Sequence, residues 1–217
     1  MSKFFKLTIS IVISLALVML GFFYTYQFRA SAPHPPITDG QWFTPTKPMP
    51  SFTFTADNGQ SFTQHNLQGH WSLLFFGYSR CQHVCPTTLG VLKQAYNNWQ
   101  KQLPPNQLPQ VIMISIDPAR DTVDDMHQFV KSFNNSFIGL CADSSATLAL
   151  QKELHVYAII IPATDGKPAD YMIKHTPELL LINPQGQIQG YFNFPEKVDT
   201  LTSDYLGIAK IDDTAGK

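Results

Sequence analysis

The stretch that most constrains the fold runs from Trp71 to Trp99. Residues 71–78, WSLLFFGY, form a short and almost wholly apolar run, which is the pattern of a β-strand buried on both faces. A polar turn follows, and from Pro86 onward large apolar residues recur at the spacing of an α-helix. These apolar residues are Leu89, Leu92, Tyr96 and Trp99. The stretch therefore predicts a buried strand, a short turn and an amphipathic helix in direct succession.

The turn carries two of the three cysteines of the chain, Cys81 and Cys85. Pro86 is typical of the first helical position, so we expect Cys85 at the helix N-cap and Cys81 on the preceding loop. The positive end of the helix dipole favours a thiolate and lowers the pKa of a nearby thiol. Two such sulfurs can form a disulfide or bind one soft metal ion. A structural disulfide across so short a loop would contribute only about 2 kcal/mol, so we favour redox or metal chemistry.

The N-terminal segment predicts a membrane anchor. Residues 7–28 contain no charged side chain and would span roughly 33 Å as a helix, against a hydrocarbon core of about 30 Å. Lys3 and Lys6 place residues 1–6 in the cytoplasm and the rest of the chain outside. We therefore expect a single-pass protein of the bacterial inner membrane with its soluble domain in the periplasm. A cleaved signal peptide is the alternative, because Ala30-Ser31-Ala32 resembles a cleavage site.

The composition divides the remainder of the chain. Residues 29–48 are rich in proline and predict a semi-rigid linker. Residues 49–210 are long enough for one domain, and residues 211–217 are assigned to a C-terminal tail. The net charge of −1 provides no basic patch, so no nucleic-acid partner is expected. Three cysteines are too few for a disulfide scaffold.

The order of predicted elements indicates an α/β protein of the thioredoxin-like class. A β-hairpin is predicted over residues 51–62, before the strand and helix described above. Further strands are predicted at residues 111–116, 137–141, 157–161, 171–173, 179–182 and 188–192, and helices at 122–133, 144–154 and 197–210. A βαβ unit, further α/β structure, a β-hairpin and a closing helix, with paired cysteines at the first strand-to-helix turn, match the thioredoxin-like plan.

Polar residues that follow the second buried strand belong to the same predicted edge as the cysteines. In open α/β sheets, ligands bind outside the carboxyl ends of the strands. The turn Asp117–Asp121 follows such an end, so it should share a face with Cys81 and Cys85. Asp117 is either an acid beside the site or a turn-former before Pro118. Arg120 and Asp121 are expected to pair with each other.

The best candidate for a third ligand is His175, because it precedes the apolar hairpin on a loop that faces the cysteines in thioredoxin-like folds. A surface histidine fits its position equally well. His83 lies between the cysteines and is expected to point into solvent. Cys141 ends a predicted strand and is expected to be a small buried apolar residue. The same loop predicts a cis bond at Thr176–Pro177, where thioredoxins have a cis-proline.

Three segments, GYSRCQHVCP, ISIDPARDT and YMIKHTPELLLINPQG, resemble in order and spacing the signature segments of the Sco/SenC copper chaperones. The resemblance covers about residues 45–210. It implies that Cys81, Cys85 and His175 bind copper as Cu(I) or Cu(II), and that Asp117 is a nearby acid linked to redox behaviour. It also implies delivery of copper to the binuclear copper site of cytochrome c oxidase, or reduction of the cysteines of that site.

Three functions follow from these residues and stay open at this point. The first is a copper metallochaperone, which is a binding protein more than an enzyme. The second is a thiol–disulfide oxidoreductase that uses Cys81 and Cys85, and the third is a thiol peroxidase. Outside the membrane, the cysteine pair should be disulfide-bonded unless metal or reductant is present. A chaperone would therefore need a separate thiol reductant in the membrane or the periplasm.

Overall fold

The computed structural model describes residues 3–30, 37–162 and 171–215. Its contacts divide the chain into two units, residues 1–34 and residues 35–217. The first unit contains helix α1, Lys3–Ala30. Within the described residues, no helix combines the length and the apolar character that crossing a membrane requires. The anchor expected at residues 7–28 therefore stays a prediction.

The second unit is an α/β domain whose elements alternate largely as the sequence predicts. Its strands are β1 (Gly40–Pro48), β2 (Thr53–Ala56), β3 (Ser61–Thr63), β4 (Ser72–Gly77), β5 (Gln110–Ser115), β6 (Ile138–Cys141), β7 (Ala158–Pro162), β8 (Tyr171–His175), β9 (Leu179–Ile182) and β10 (Gln187–Phe192). Its helices are α2 (Val84–Gln100), α3 (Val123–Phe133), α4 (Ser144–Glu153) and α5 (Val198–Ala215).

Eight of the strands form one mixed sheet in the order β1-β10-β9-β4-β5-β6-β2-β3. Strand β4 lies inside the sheet, parallel to β5 and antiparallel to β9. This position explains why every residue of β4 is buried and why its sequence is apolar apart from Ser72. Strands β7 and β8 pair with each other as a separate two-stranded sheet.

Each face of the main sheet has its own hydrophobic core. On one face, α2 packs through Leu89 and Trp99, together with α3 and with α5 through Tyr205. On the other face, Leu150 of α4 and Ile173 of β8 pack against the sheet. A sheet with helices on both faces keeps the ends of its parallel strands free to carry the site.

The linker expected at residues 29–48 differs from the structure in its second half. Residues Gly40–Pro48 form strand β1, which pairs with β10 at the edge of the main sheet. The register shifts between Trp42 and Lys47, a segment that contains Pro45. Proline is tolerated at a sheet edge or bulge because the N–H that it lacks is not needed there for pairing with a neighbouring strand. A proline-rich composition is therefore compatible with a strand at this position. Residues 31–36 of the expected linker lie outside the described part of the chain.

The predicted cis bond at Thr176–Pro177 is wrong. Among the described residues, the cis bonds precede Pro45 and Pro195. The N–H of Thr176 donates to the carbonyl oxygen of Tyr157, and the N–H of Tyr157 donates to Oγ1 of Thr176. These two bonds continue the antiparallel pairing of β7 and β8 past His175, and extended backbone is also the ordinary state before a trans proline.

Glu196, which precedes α5, makes the stability of the protein depend on pH. Burial raises the pKa of this carboxyl to about 7. Between its unfolded pKa near 4.5 and this value, the folded protein keeps a proton that the unfolded chain has lost, so stability falls as pH rises. In the parent protein, the free energy of unfolding should fall by an amount on the order of 2 kcal/mol between pH 5 and pH 8 because of Glu196. We expect Glu196→Gln to abolish this fall, measured by urea unfolding. The exposed Glu153→Gln is the control, and an unchanged pH slope in Glu196→Gln would contradict the assignment.

Candidate metal centre

The two cysteines lie where strand β4 passes into helix α2. Cys81 is half-buried on the loop, and its N–H donates to the carbonyl oxygen of Tyr78 at 3.1 Å. Cys85 lies in the first turn of α2 and is fully buried. Its N–H donates to Sγ of Cys81 at 3.4 Å. All three cysteines of the chain are free thiols, so the disulfide expected between Cys81 and Cys85 stays a prediction.

The helix begins earlier than the sequence predicts. His83, not Cys85, is the N-cap of α2, and Pro86 is the third helical residue. The first turn of a helix leaves its N–H groups without intrahelical partners, so Pro86 is tolerated there as well as at the first position. One of these free N–H groups, that of Cys85, is the donor to the Cys81 sulfur. This hydrogen bond from the helix N-terminus contributes to the lowered pKa of the Cys81 thiol.

Gly77, the last residue of β4, makes room for the sulfur of Cys85. A Cβ atom at this position would lie 2.7 Å from Sγ of Cys85 and 2.8 Å from Cε of Met113. Such distances are below van der Waals contact, so any larger residue would displace one of the two side chains. The strand end therefore fixes the depth at which the Cys85 sulfur sits.

His175 ends strand β8 and completes the group. Its Nε2 lies 3.9 Å from Sγ of Cys85, and its Nδ1 lies 2.9 Å from the carbonyl oxygen of Thr176. A carbonyl oxygen can only accept, so Nδ1 carries a proton, and Nε2 is the ring nitrogen that faces the sulfur. A backbone carbonyl that holds Nδ1–H is the usual support of a histidine that binds metal through Nε2.

The ligand atoms of Cys81, Cys85 and His175 all lie within 4.8 Å of one another. In the part of the chain that the structure describes, this is the one group of three or more such residues with that geometry. Two sulfurs and one imidazole nitrogen are a soft, three-coordinate donor set, which fits copper. The fold brings together the turn before α2 and the end of β8, and Cys85 and His175 are 90 residues apart in the sequence.

The two thiols share one proton unequally. The pKa of Cys81 is lowered to about 3, chiefly because the thiol of Cys85 donates to its sulfur and also because His175 lies beside it. The pKa of Cys85 is raised, first by the same contact with the Cys81 sulfur and then by burial. Cys81 is therefore the more readily deprotonated of the two thiols.

The acids of the Asp117–Asp121 turn pair differently from the sequence-based expectation. Asp117 is buried and binds Nε of Arg120 and the hydroxyl of Tyr171, the latter at 2.6 Å. Asp121 instead accepts hydrogen bonds from the N–H and hydroxyl of Ser79 and from the hydroxyl of Ser115. Asp117 thus contacts the first residue of β8, the strand that carries His175, whereas Asp121 contacts the loop that carries Cys81.

Asp121 is a residue whose role sequence reasoning missed. Burial raises the pKa of its carboxyl, and it lies near enough to Cys85 to add to the rise in the pKa of that thiol. The only available signal was its place at a strand end, which Asp117 shares. Which of two acids in one turn faces which neighbour depends on side-chain directions that spacing does not reveal.

The remaining candidates lie outside the group. The side chain of His83 is exposed, as expected. Cys141 is buried, its Sγ lies 3.6 Å from the carbonyl oxygen of Thr122, and burial raises its pKa to about 12. The prediction that Cys141 is a small buried residue is confirmed.

The fold and this centre define a thioredoxin-like protein with a group of two thiols and one imidazole that could hold a soft metal ion. The model of the SCO1/SenC family matches residues 44–210, which is well over half of the chain. The chain therefore belongs to the SCO1/SenC family, and the resemblance seen in its three sequence segments is confirmed.

Relatives and solved structures agree with this assignment. A protein of Stutzerimonas stutzeri is 32% identical over 155 residues, which are 70% of this chain and 72% of that protein. Arabidopsis thaliana ScoI with copper bound has a TM-score of 0.67 at 28% identity, covering 76% of this chain and 98% of its own. Bradyrhizobium japonicum ScoI with copper bound has a TM-score of 0.65 at 30% identity, covering 73% and 98%. The chain spans about half the length of the mitochondrial relatives it matches.

Proposed function

We propose that this protein binds one copper ion through Sγ of Cys81, Sγ of Cys85 and Nε2 of His175. The observation that carries the proposal is the convergence of these three atoms within 4.8 Å. Copper is the expected metal because thiolates are soft donors that suit Cu(I), while an imidazole added to them suits Cu(II). The copper bound in the Arabidopsis and Bradyrhizobium structures supports the same choice.

We further propose that the copper is cargo for the binuclear copper site of cytochrome c oxidase. Membership of the SCO1/SenC family supports this role. The site also suits transfer, because Cys81 is half-buried and so is reachable by ligands of a second protein. The proposed location is the periplasmic side of a bacterial inner membrane, with residues 7–28 as the anchor and a thiol reductant that restores the cysteine pair.

A thiol–disulfide oxidoreductase is the second candidate, favoured by the unequal state of the two thiols. The Cys81 thiolate would attack one sulfur of a target disulfide, form a mixed disulfide and release one target thiolate. Cys85, once deprotonated, would then attack Cys81 and release the second target thiol. Two electrons pass from the pair to the target, and the resulting Cys81–Cys85 disulfide needs the thiol reductant named above.

Titration of the fully reduced protein with copper tests the proposal. We expect one equivalent of Cu(I) to bind tightly, measured by competition with a chromophoric chelator, and one equivalent of Cu(II) to give an intense sulfur-to-copper charge-transfer band. An insulin-reduction assay on the same sample tests the oxidoreductase. Efficient disulfide reduction together with no tight copper binding would overturn the proposal in favour of the second candidate.

A further inference from the structure

The ligands of the centre come from two parts of the domain that share no strand pairing. Cys81 and Cys85 follow β4 in the main sheet, whereas His175 belongs to the separate pair β7–β8. An isolated two-stranded sheet is only marginally stable by itself. The position of the imidazole relative to the sulfurs therefore depends on the contacts that attach β8 to the rest of the domain.

Tyr78 contacts both parts. Its carbonyl oxygen accepts the N–H of Cys81, which ties it to the cysteine loop. Its hydroxyl accepts the N–H of Ile173 in β8 at 3.1 Å. Its ring meets the ring of His175 edge-on, with centroids 6.4 Å apart and planes at 80°. The side chain is 3% exposed, so these contacts are shielded from water.

Along β8, the contact between Tyr78 and Ile173 lies only two residues before His175. Every second residue of the strand faces the same side, and these residues are Tyr171, Ile173 and His175. Arg120 supports the far end of the strand by donating from Nη1 to the carbonyl oxygen of Tyr171 at 3.0 Å. Tyr78 supports the end nearer the ligand, two residues from His175.

We infer that Tyr78 is a positioning residue of the centre, whose hydroxyl holds β8 in the position that brings His175 to the two sulfurs. This inference rests on the proposed function. Without the hydroxyl, β8 loses its anchor beside the ligand, and the three-ligand arrangement is populated for less of the time. Two sulfurs satisfy Cu(I) by themselves, whereas Cu(II) depends on the imidazole. Tyr78 should thus govern the oxidised ion selectively.

The Tyr78→Phe variant of the full-length protein tests the inference. The net value of one hydrogen bond corresponds to about a tenfold change in a conformational population. Because apparent affinity falls with the competent fraction, we expect Cu(II) affinity to fall about tenfold and the charge-transfer band to shift or decay faster. Cu(I) affinity should stay within about threefold of the parent value, because both sulfur ligands remain and Cys81 loses only its hydrogen bond with the Tyr78 side chain.

The Tyr205→Phe variant is the matched control. Tyr205 is a fully buried tyrosine whose hydroxyl donates to the carbonyl oxygen of Gln107 at 2.8 Å. Its loss should lower thermal stability about as much as the loss of the Tyr78 hydroxyl, while the Cu(II) band stays unchanged.

The outcomes separate this inference from the proposed function. If the parent protein binds copper and Tyr78→Phe reproduces its Cu(II) affinity and spectrum, the positioning role is wrong and the proposed function stands. If Tyr205→Phe alters the Cu(II) band as much as Tyr78→Phe does, the effect is general destabilisation and the inference is overturned. If the parent protein itself binds no copper, the proposed function is wrong, and the inference that rests on it is wrong as well.

Discussion

Replacing Cys81 or Cys85 with serine is expected to abolish tight binding of both Cu(I) and Cu(II). Each change removes one of two soft donors and leaves a hydroxyl, which is a poor ligand for Cu(I). The loss should exceed about 100-fold, because removal of a mere supporting partner of a ligand already costs 10–100-fold. Chelator competition measures the Cu(I) affinity, and visible absorption measures Cu(II).

Cys141→Ser is the matched control for this experiment. Cys141 is buried and lies outside the group of three ligand atoms. Its replacement should leave both copper affinities unchanged, even where it lowers stability by burying a hydroxyl. If Cys141→Ser weakened copper binding as much as Cys81→Ser, the assignment of the cysteine pair as ligands would fail.

The second large effect is expected at His175. His175→Ala should retain substantial Cu(I) binding, since two sulfurs suffice for that ion, and should lose the Cu(II) charge-transfer colour or make it short-lived. The structure supports the choice of this residue, because Nε2 of His175 lies 3.9 Å from Sγ of Cys85. Copper titrations in each oxidation state measure the difference.

His83→Ala is the control for His175→Ala. His83 lies between the cysteines, and its side chain is exposed at the N-cap of α2. We expect this variant to bind both copper ions like the parent. Were His175→Ala to bind Cu(II) normally while His83→Ala did not, the imidazole ligand would come from the cysteine loop.

Several differences between prediction and structure share one physical cause. The sequence predicts a later start for α2 than the structure shows, because Pro86 fits more than one position of a first helical turn. The proline-rich composition of β1 predicts a linker, whereas the structure has a strand there because an edge position tolerates proline. In both cases, a local preference allowed two structures, and packing against the rest of the domain selected one.

The pairing of the charged residues after β5 shows the same limit. Adjacent Arg120 and Asp121 were expected to pair, yet Arg120 pairs with Asp117. Asp121 binds Ser79, which lies 42 residues away in the sequence. A buried carboxylate must find donors, but spacing alone does not say which donors the fold brings to it.

The sequence by itself determined most of the order of strands and helices and the resemblance to the family, and that resemblance implied the three residues proposed to bind copper. It could do so because buried strands, amphipathic helices and paired cysteines before a helix are local patterns. Only the tertiary structure decided that His175 reaches the sulfurs from a separate hairpin, and that Tyr78 bonds to Ile173, 95 residues away. Such contacts depend on how distant strands pack, and that packing results from the burial of the whole core.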